Sequence, residues 1–92
     1  MWPLLIACTY GNKQAVIALL DSGADVNLAN PSGYTALHEA SFQGYDQIVE
    51  LLVKAGADIN KRDISHYTAL NYAQMNGARK VIRILKRYGA KE

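Results

Sequence analysis

The feature that most constrains this chain is a repeat of 33 residues. Residues of one type recur at this step in three copies: Gly11, Gly44 and Gly77; Leu4, Leu37 and Leu70; Ala7, Ala40 and Ala73. Self-similarity at such a period is typical of solenoids, in which each unit packs only against its neighbours. The period predicts a single domain of three units, at approximately 1–34, 35–67 and 68–92.

Local signals predict two helices in each unit. Thr35 and Thr68 are good helix N-caps, because a threonine hydroxyl can accept from a free backbone N–H. Pro3 suits the first helical position, where its missing N–H costs nothing. Gly44 and Gly56 suit left-handed caps at the C-termini of the first and second helices. The segments between units, 28–34 and 61–67, are rich in turn-forming residues and predict loops.

Two motifs resemble those of the ankyrin-repeat family. The run Thr35-Ala36-Leu37-His38 is similar to the opening of an ankyrin unit, and 23–27 and 56–60 are similar to its close. The resemblance covers essentially the whole chain. It implies an all-α solenoid of three helix-turn-helix units with projecting β-hairpin loops. His66 stands where the family has a loop glycine, which predicts a distorted or strained second hairpin turn.

Composition excludes several classes of protein. The formal net charge of +2 is far from the basic excess of most nucleic-acid binders. No apolar run approaches the roughly 18–20 residues that cross a membrane. The single cysteine, Cys8, cannot form an internal disulfide, whereas small secreted domains usually carry several. We therefore expect an intracellular protein, in the cytoplasm or the nucleus.

His38 is the residue that comes nearest to catalytic chemistry. Stacked units would bring Ser41 and Cys8 close to it, and either one could act as a nucleophile beside a histidine base. The resemblance implies instead a structural His38 that binds Thr35 and nearby loop backbone. The spacing of Cys and His matches no zinc motif, and no glycine-rich phosphate loop is present. We predict no enzyme activity, no metal site and no cofactor.

The resemblance places partner contacts on the concave surface, which hairpin tips and first helices form. Carrying the contact positions over predicts these partner-binding residues: Tyr10, Pro31, Ser32, Tyr34, Glu39, Phe42, Gln43, Arg62, Ile64, Tyr67, Tyr72, Met75 and Asn76. Tyr34 and Tyr67 are one period apart, so we expect them side by side, and Phe42 and Met75 likewise. The alternative is that these rings merely pack the loops onto the helices.

The aromatic content of this set is typical of interface centres. We expect Tyr10 to extend the aromatic strip, and the charges of Arg62 and Glu39 to provide selectivity. The predicted function is non-catalytic protein–protein interaction, either as an inhibitor of a partner protein or as an adaptor, without a small-molecule substrate.

The two ends of the array differ in character. Six basic residues fall within thirteen positions near the C-terminus: Arg79, Lys80, Arg83, Lys86, Arg87 and Lys91. They indicate either a solvated terminal cap or, as the alternative function, a surface for nucleic acid or another anionic partner. Trp2, Leu4, Leu5 and Ile6 make the N-terminal edge apolar, and this edge is a candidate for self-association.

Overall fold

The computed structural model describes residues 2–91, so Met1 and Glu92, which the predicted units include, lie outside it. The described chain forms six α-helices: α1 (Pro3–Thr9), α2 (Lys13–Asp21), α3 (Ala36–Gln43), α4 (Asp46–Lys54), α5 (Ala69–Met75) and α6 (Arg79–Arg87). Helices α1, α3 and α5 contact one another in order and form one layer, and α2, α4 and α6 form the second. This confirms the predicted all-α solenoid of helix pairs.

The predicted caps begin and end the helices as expected. The Thr35 hydroxyl accepts from the His38 backbone N–H, and the His38 ring accepts from the Thr35 backbone N–H, which makes a reciprocal capping box. Thr68 and Asn71 form the same arrangement at the start of α5. Gly44 ends α3 in the left-handed region, with φ of 79°. These signals are local, so the sequence alone could predict them.

The core lies between the two helix layers. Its largest fully buried side chains include one leucine from each helix of the second and third units: Leu37, Leu52, Leu70 and Leu85. The first helices also bury alanines at the middle of their inner faces, and these small side chains allow adjacent units to approach closely. The leucines at equivalent positions of the repeat therefore pack each unit against the next.

Hydrogen-bonded turns shape the two loops between units. The Asn30 side chain accepts from the backbone N–H groups of Ser32 and Tyr34, at 3.0 and 3.1 Å, and Asp63 accepts in the same way one period later. The Ile64 N–H donates to the Ser32 carbonyl at 2.9 Å and joins the two turns. Within residues 2–91 no stretch forms a regular strand, because each hairpin pairs too few residues before the next helix begins.

His66 takes the same backbone conformation as the glycine one period earlier. Its φ is 67°, against 72° for Gly33, and its N–H donates to the Asp63 carbonyl at 2.9 Å. The turn is therefore not distorted, and the strain is the left-handed φ itself. A Cβ atom at Gly33 would lie 3.2 Å from the Asp63 Cα, so a side chain at Gly33 would press against the backbone of the second hairpin. Within the described residues no further hairpin follows His66.

Candidate functional site

Five rings from both hairpins and two first helices form one aromatic cluster: Tyr34, His38, Phe42, Tyr67 and Tyr72. Tyr72 is at its centre, with ring centroids 5.5 Å from both Tyr34 and Tyr67, 5.7 Å from His38 and 6.1 Å from Phe42. All four contacts are edge-to-face, the geometry that aromatic quadrupoles favour. The hairpin tyrosines therefore meet through Tyr72.

Two half-buried tyrosines anchor this cluster through their hydroxyl groups. The Tyr34 hydroxyl donates to Glu39 Oε1 at 2.7 Å, and the Tyr72 hydroxyl donates to the Asp63 carboxylate. Burial raises the pKa of Tyr72 to about 12, and the hydrogen bond to Asp63 adds to the effect. Burial and the bond to Glu39 likewise raise the pKa of Tyr34. These two rings do pack loops onto helices, as the alternative interpretation expected.

Asp63 is the buried acceptor that fixes the second hairpin. Burial by itself raises the pKa of this carboxyl group. Hydrogen bonds from the Tyr72 hydroxyl and from the backbone N–H groups of Tyr67 and Ser65 outweigh burial and hold the pKa below its usual range. An ionised carboxylate accepts all three bonds, whereas a protonated one has lost acceptor capacity. The binding prediction did not include this residue.

His38 has partners on both ring nitrogens. Nδ1 accepts from the Thr35 N–H at 2.9 Å, so the proton is on Nε2, which donates to the Lys61 carbonyl at 2.9 Å. The ring also stacks on Tyr34, with centroids 5.4 Å apart. Burial lowers the pKa of His38 and favours this neutral tautomer. The imidazole therefore joins α3 to the second hairpin, the structural role that the resemblance implies.

Neither candidate nucleophile is activated by His38. Ser41 Oγ is buried and has no hydrogen-bond partner among the described residues. Cys8 is also buried, and burial raises its pKa to about 12, which disfavours the reactive thiolate. Activation would need a hydrogen bond from the nucleophile to a free base. Within residues 2–91, no group of three His, Cys, Asp or Glu side chains could hold a metal ion.

Four large apolar side chains are exposed on the hairpin and first-helix surface, and we call them the exposed rim. Phe42 and Tyr67 are each 41% exposed, Met75 is 52% exposed and Ile64 is 70% exposed. Phe42 and Tyr67 both contact the half-buried ring of Tyr72. Met75 lies one helical turn beyond Tyr72 on α5. The two rings of the rim, Phe42 and Tyr67, are thus held in place by Tyr72.

The predicted polar residues mostly have partners within the chain. Glu39 accepts from Tyr34 and also from Gln43 Nε2, at 3.1 Å. Arg62 donates to a backbone carbonyl of its own hairpin at 2.8 Å, and Asn76 donates to a carbonyl in α3. Their first role is therefore to hold the cluster and the hairpin in place. Arg62 keeps other guanidinium N–H groups that a partner can use.

Three predicted residues lie apart from the aromatic cluster. Tyr10 is 78% exposed, and no ring contact among residues 2–91 includes it. It borders a hollow of about 470 Å³ beside Pro3 and Ile6, on the first unit. Pro31 and Ser32 are exposed in the turn of the first hairpin. Tyr10 therefore does not extend the strip by ring contact.

The first unit has an apolar outer face, which we define by six residues: Trp2, Pro3, Leu5, Ile6, Leu19 and Leu28. Pro3 and Leu19 are exposed or partly exposed, whereas their 33-residue counterparts Ala36 and Leu52 are buried. A hollow of about 230 Å³ opens beside Leu28. At the other end of the array, α6 buries Val81 and Leu85 and exposes its basic residues.

Comparison with known proteins identifies the fold family. Residues 1–63 match the family described as ankyrin repeats, in three copies. The chain belongs to the ankyrin-repeat family. The ankyrin-repeat domain of human ASB11 superposes on 99% of this chain with a TM-score of 0.96 and 30% sequence identity, and the match covers 41% of that chain. Ankyrin repeats are protein–protein interaction modules.

Curated ankyrin proteins resemble shorter stretches of the chain. Protein phosphatase 1 regulatory subunit 12A of Gallus gallus is 53% identical over 36 residues, which are 39% of this chain and 4% of that protein. The Notch-regulated ankyrin repeat-containing protein of Homo sapiens is 47% identical over 38 residues, or 41% of this chain and 33% of that protein. The chain thus spans a third or less of both relatives. No helix in residues 2–91 is long and apolar enough to cross a membrane.

Proposed function

We propose that this ankyrin-repeat chain is a non-catalytic protein-binding module whose contact surface is the exposed rim. The observation that carries the proposal is the support of Phe42 and Tyr67 by a half-buried Tyr72, whose hydroxyl is held by Asp63. Rings held in this way lose little conformational freedom on binding, so more of their burial appears as affinity. Large aromatic groups on a fixed base are typical hot spots.

The module acts on another protein by occupying its surface, either as an inhibitor or as an adaptor. One relative is named a regulatory subunit of a phosphatase, in keeping with binding that regulates an enzyme carried by another chain. Glu39 and Arg62 provide selectivity at the edge of the rim. We place the protein in the cytoplasm or nucleus, since its one cysteine is a buried free thiol.

Truncation of either exposed ring is expected to weaken partner binding. The Phe42→Ala or Tyr67→Ala variant should lose more than ~1–2 kcal/mol of binding free energy if these rings are hot spots. The measurement is titration calorimetry with the partner recovered by affinity purification from the source cell. Gln14→Ala is the matched control, because Gln14 is exposed on α2 in the other helix layer. Unchanged affinity in both ring variants, with folding intact, would contradict the proposal.

We also propose that the apolar outer face of the first unit associates with a second copy of the chain. The specific observation is the exposure of Pro3 and Leu19 at positions that the second unit buries. The opposite end of the array exposes basic side chains, so the apolar face matches a second apolar face better than it matches that end. Such an isologous contact closes as a dimer.

Sedimentation of the whole chain tests this second candidate. We expect a mass twice that of the 10.1 kDa monomer at high protein concentration. The Ile6→Lys variant should remain monomeric, because a buried unpaired charge opposes the contact. Arg83→Lys serves as a control that leaves the outer face unchanged. A monomer at every concentration for the unmodified chain would rule the dimer out.

A further inference from the structure

Phe42 belongs to a second feature besides the aromatic cluster. It lines a groove of about 360 Å³ formed by the turn between α3 and α4 and the turn between α5 and α6. Arg79 and Lys80, at the first turn of α6, also line this groove, as does Asn76, whose side chain donates to the Phe42 carbonyl. One groove therefore contains an aromatic ring of the exposed rim and two basic side chains.

The two basic side chains of this groove form no salt bridge within the described chain. In residues 2–91, the one salt bridge formed joins Lys54 to Glu50, so neither Arg79 nor Lys80 is in an ion pair. Both are exposed, and the first turn of α6 contains no acidic residue and receives no side-chain cap from Ala78. Asp46 is the one carboxylate among the groove residues. The local field along this edge favours negative charge.

We infer that the partner presents an acidic peptide segment with one large apolar side chain beside carboxylates. The apolar side chain of the peptide packs on Phe42 and on other residues of the exposed rim. The carboxylates of the peptide bind Arg79 and Lys80 in the groove. This inference rests on the proposed function and adds the chemistry of the partner to it. Guanidinium groups suit carboxylates particularly well, because they can donate two parallel hydrogen bonds.

A protein segment fits this surface better than nucleic acid does. A nucleic-acid duplex contacted through its phosphates would use the basic side chains and leave the exposed rim without a role. The chain has a net charge of only +2, far from the basic excess of most nucleic-acid binders. A segment with one large apolar side chain beside carboxylates contacts both the exposed rim and the two basic side chains.

Selection from a display library of random dodecapeptides tests the inference on the whole chain. We expect the enriched sequences to combine a large apolar residue with Asp or Glu nearby. A synthetic peptide of the enriched sequence should bind the Arg79→Glu, Lys80→Glu double variant about tenfold more weakly, a typical effect of charge reversal at an interface rim. It should also bind more weakly as salt rises.

The matched control reverses one charge at the far end of α6 and one beyond that end. The Arg87→Glu, Lys91→Glu double variant changes the net charge by the same amount, and Arg87 lies about 12 Å along α6 from Arg79. It should retain affinity for the peptide to within about twofold. Equal losses in the two double variants would indicate non-specific attraction and overturn the inference.

The remaining outcomes separate this inference from the proposed function. Enriched peptides that need Phe42 but contain no acidic residues would overturn the inference and leave the proposed function standing. Peptides that bind the Phe42→Ala and Tyr67→Ala variants with unchanged affinity would contradict the proposed function. A 20-nucleotide single strand that binds more tightly than the peptide, with an affinity that Phe42→Ala leaves unchanged, would indicate a nucleic-acid partner and overturn the inference. A library that enriches no sequence also overturns the inference, which requires a linear segment.

Discussion

The Leu52→Ala variant is expected to lose about 2–5 kcal/mol of unfolding free energy. Leu52 is fully buried in α4, where α2 and α6 both pack against its helix. Removing three carbons leaves a cavity that neighbours on both sides cannot fill without moving. Because a domain of this size is only marginally stable, such a loss consumes a large part of its stability.

The repeat supplies a matched control at the same position one unit earlier. Leu19→Ala deletes the same atoms from α2, but Leu19 is partly exposed on the outer face. We expect it to cost roughly half as much as Leu52→Ala in dilute solution, since less contact is lost. Urea denaturation followed by circular dichroism measures both. Equal losses in dilute solution would contradict the description of an uncovered first unit.

The Asp63→Ala variant is expected to lose about 2–4 kcal/mol of unfolding free energy, because one buried carboxylate supports three hydrogen bonds. Two of them close the second hairpin, and the third holds the Tyr72 hydroxyl. The Asp63→Asn variant should lose only about 1 kcal/mol. Asn30 shows why, since its amide oxygen accepts the two equivalent backbone bonds in the first hairpin. Similar losses for Ala and Asn would contradict the assigned role.

The same carboxylate predicts a dependence of stability on pH. Its pKa is lower in the folded chain than in the unfolded chain, where it is about 4. The stabilisation is therefore complete above pH 4 and is lost as the pH falls through the folded-state pKa. Chemical denaturation between pH 2 and pH 7 should show this loss in the unmodified chain and a smaller one in Asp63→Asn. Parallel curves would contradict it.

The predictable part of the fold rests on local chemistry. Thr35, Thr68 and Gly44 begin or end helices through contacts within four residues of themselves, so their roles follow directly from the sequence. The repeat then determines how the units stack, because residues of the same type, 33 positions apart, make the same contacts in successive units. His66 is an exception, because the sequence did not predict an undistorted turn with a residue other than glycine at this position. Its side chain fits there because no further hairpin in the described chain crowds it.

The sequence predicted most residues of the aromatic cluster, but it did not predict the contacts that hold them together. The carried-over positions included Tyr34, Phe42, Tyr67 and Tyr72, but not the bond from Tyr72 to Asp63 that anchors the cluster. That bond spans nine residues and depends on side-chain rotamers that no periodicity determines. A signal was present, since the repeat aligns Asp63 with Asn30. Whether these residues contact a partner remains a prediction.

Site-specific photo-crosslinking tests the central claim, that the exposed rim is the partner surface. A photoreactive phenylalanine analogue would replace Phe42, Tyr67 or the control residue Gln14 in separate chains. Each chain would be irradiated with the affinity-purified partner, and the covalent adduct would be measured by mass spectrometry. We predict adducts from positions 42 and 67 and none from position 14 on α2. An adduct from position 14, with none from positions 42 and 67, would contradict the account.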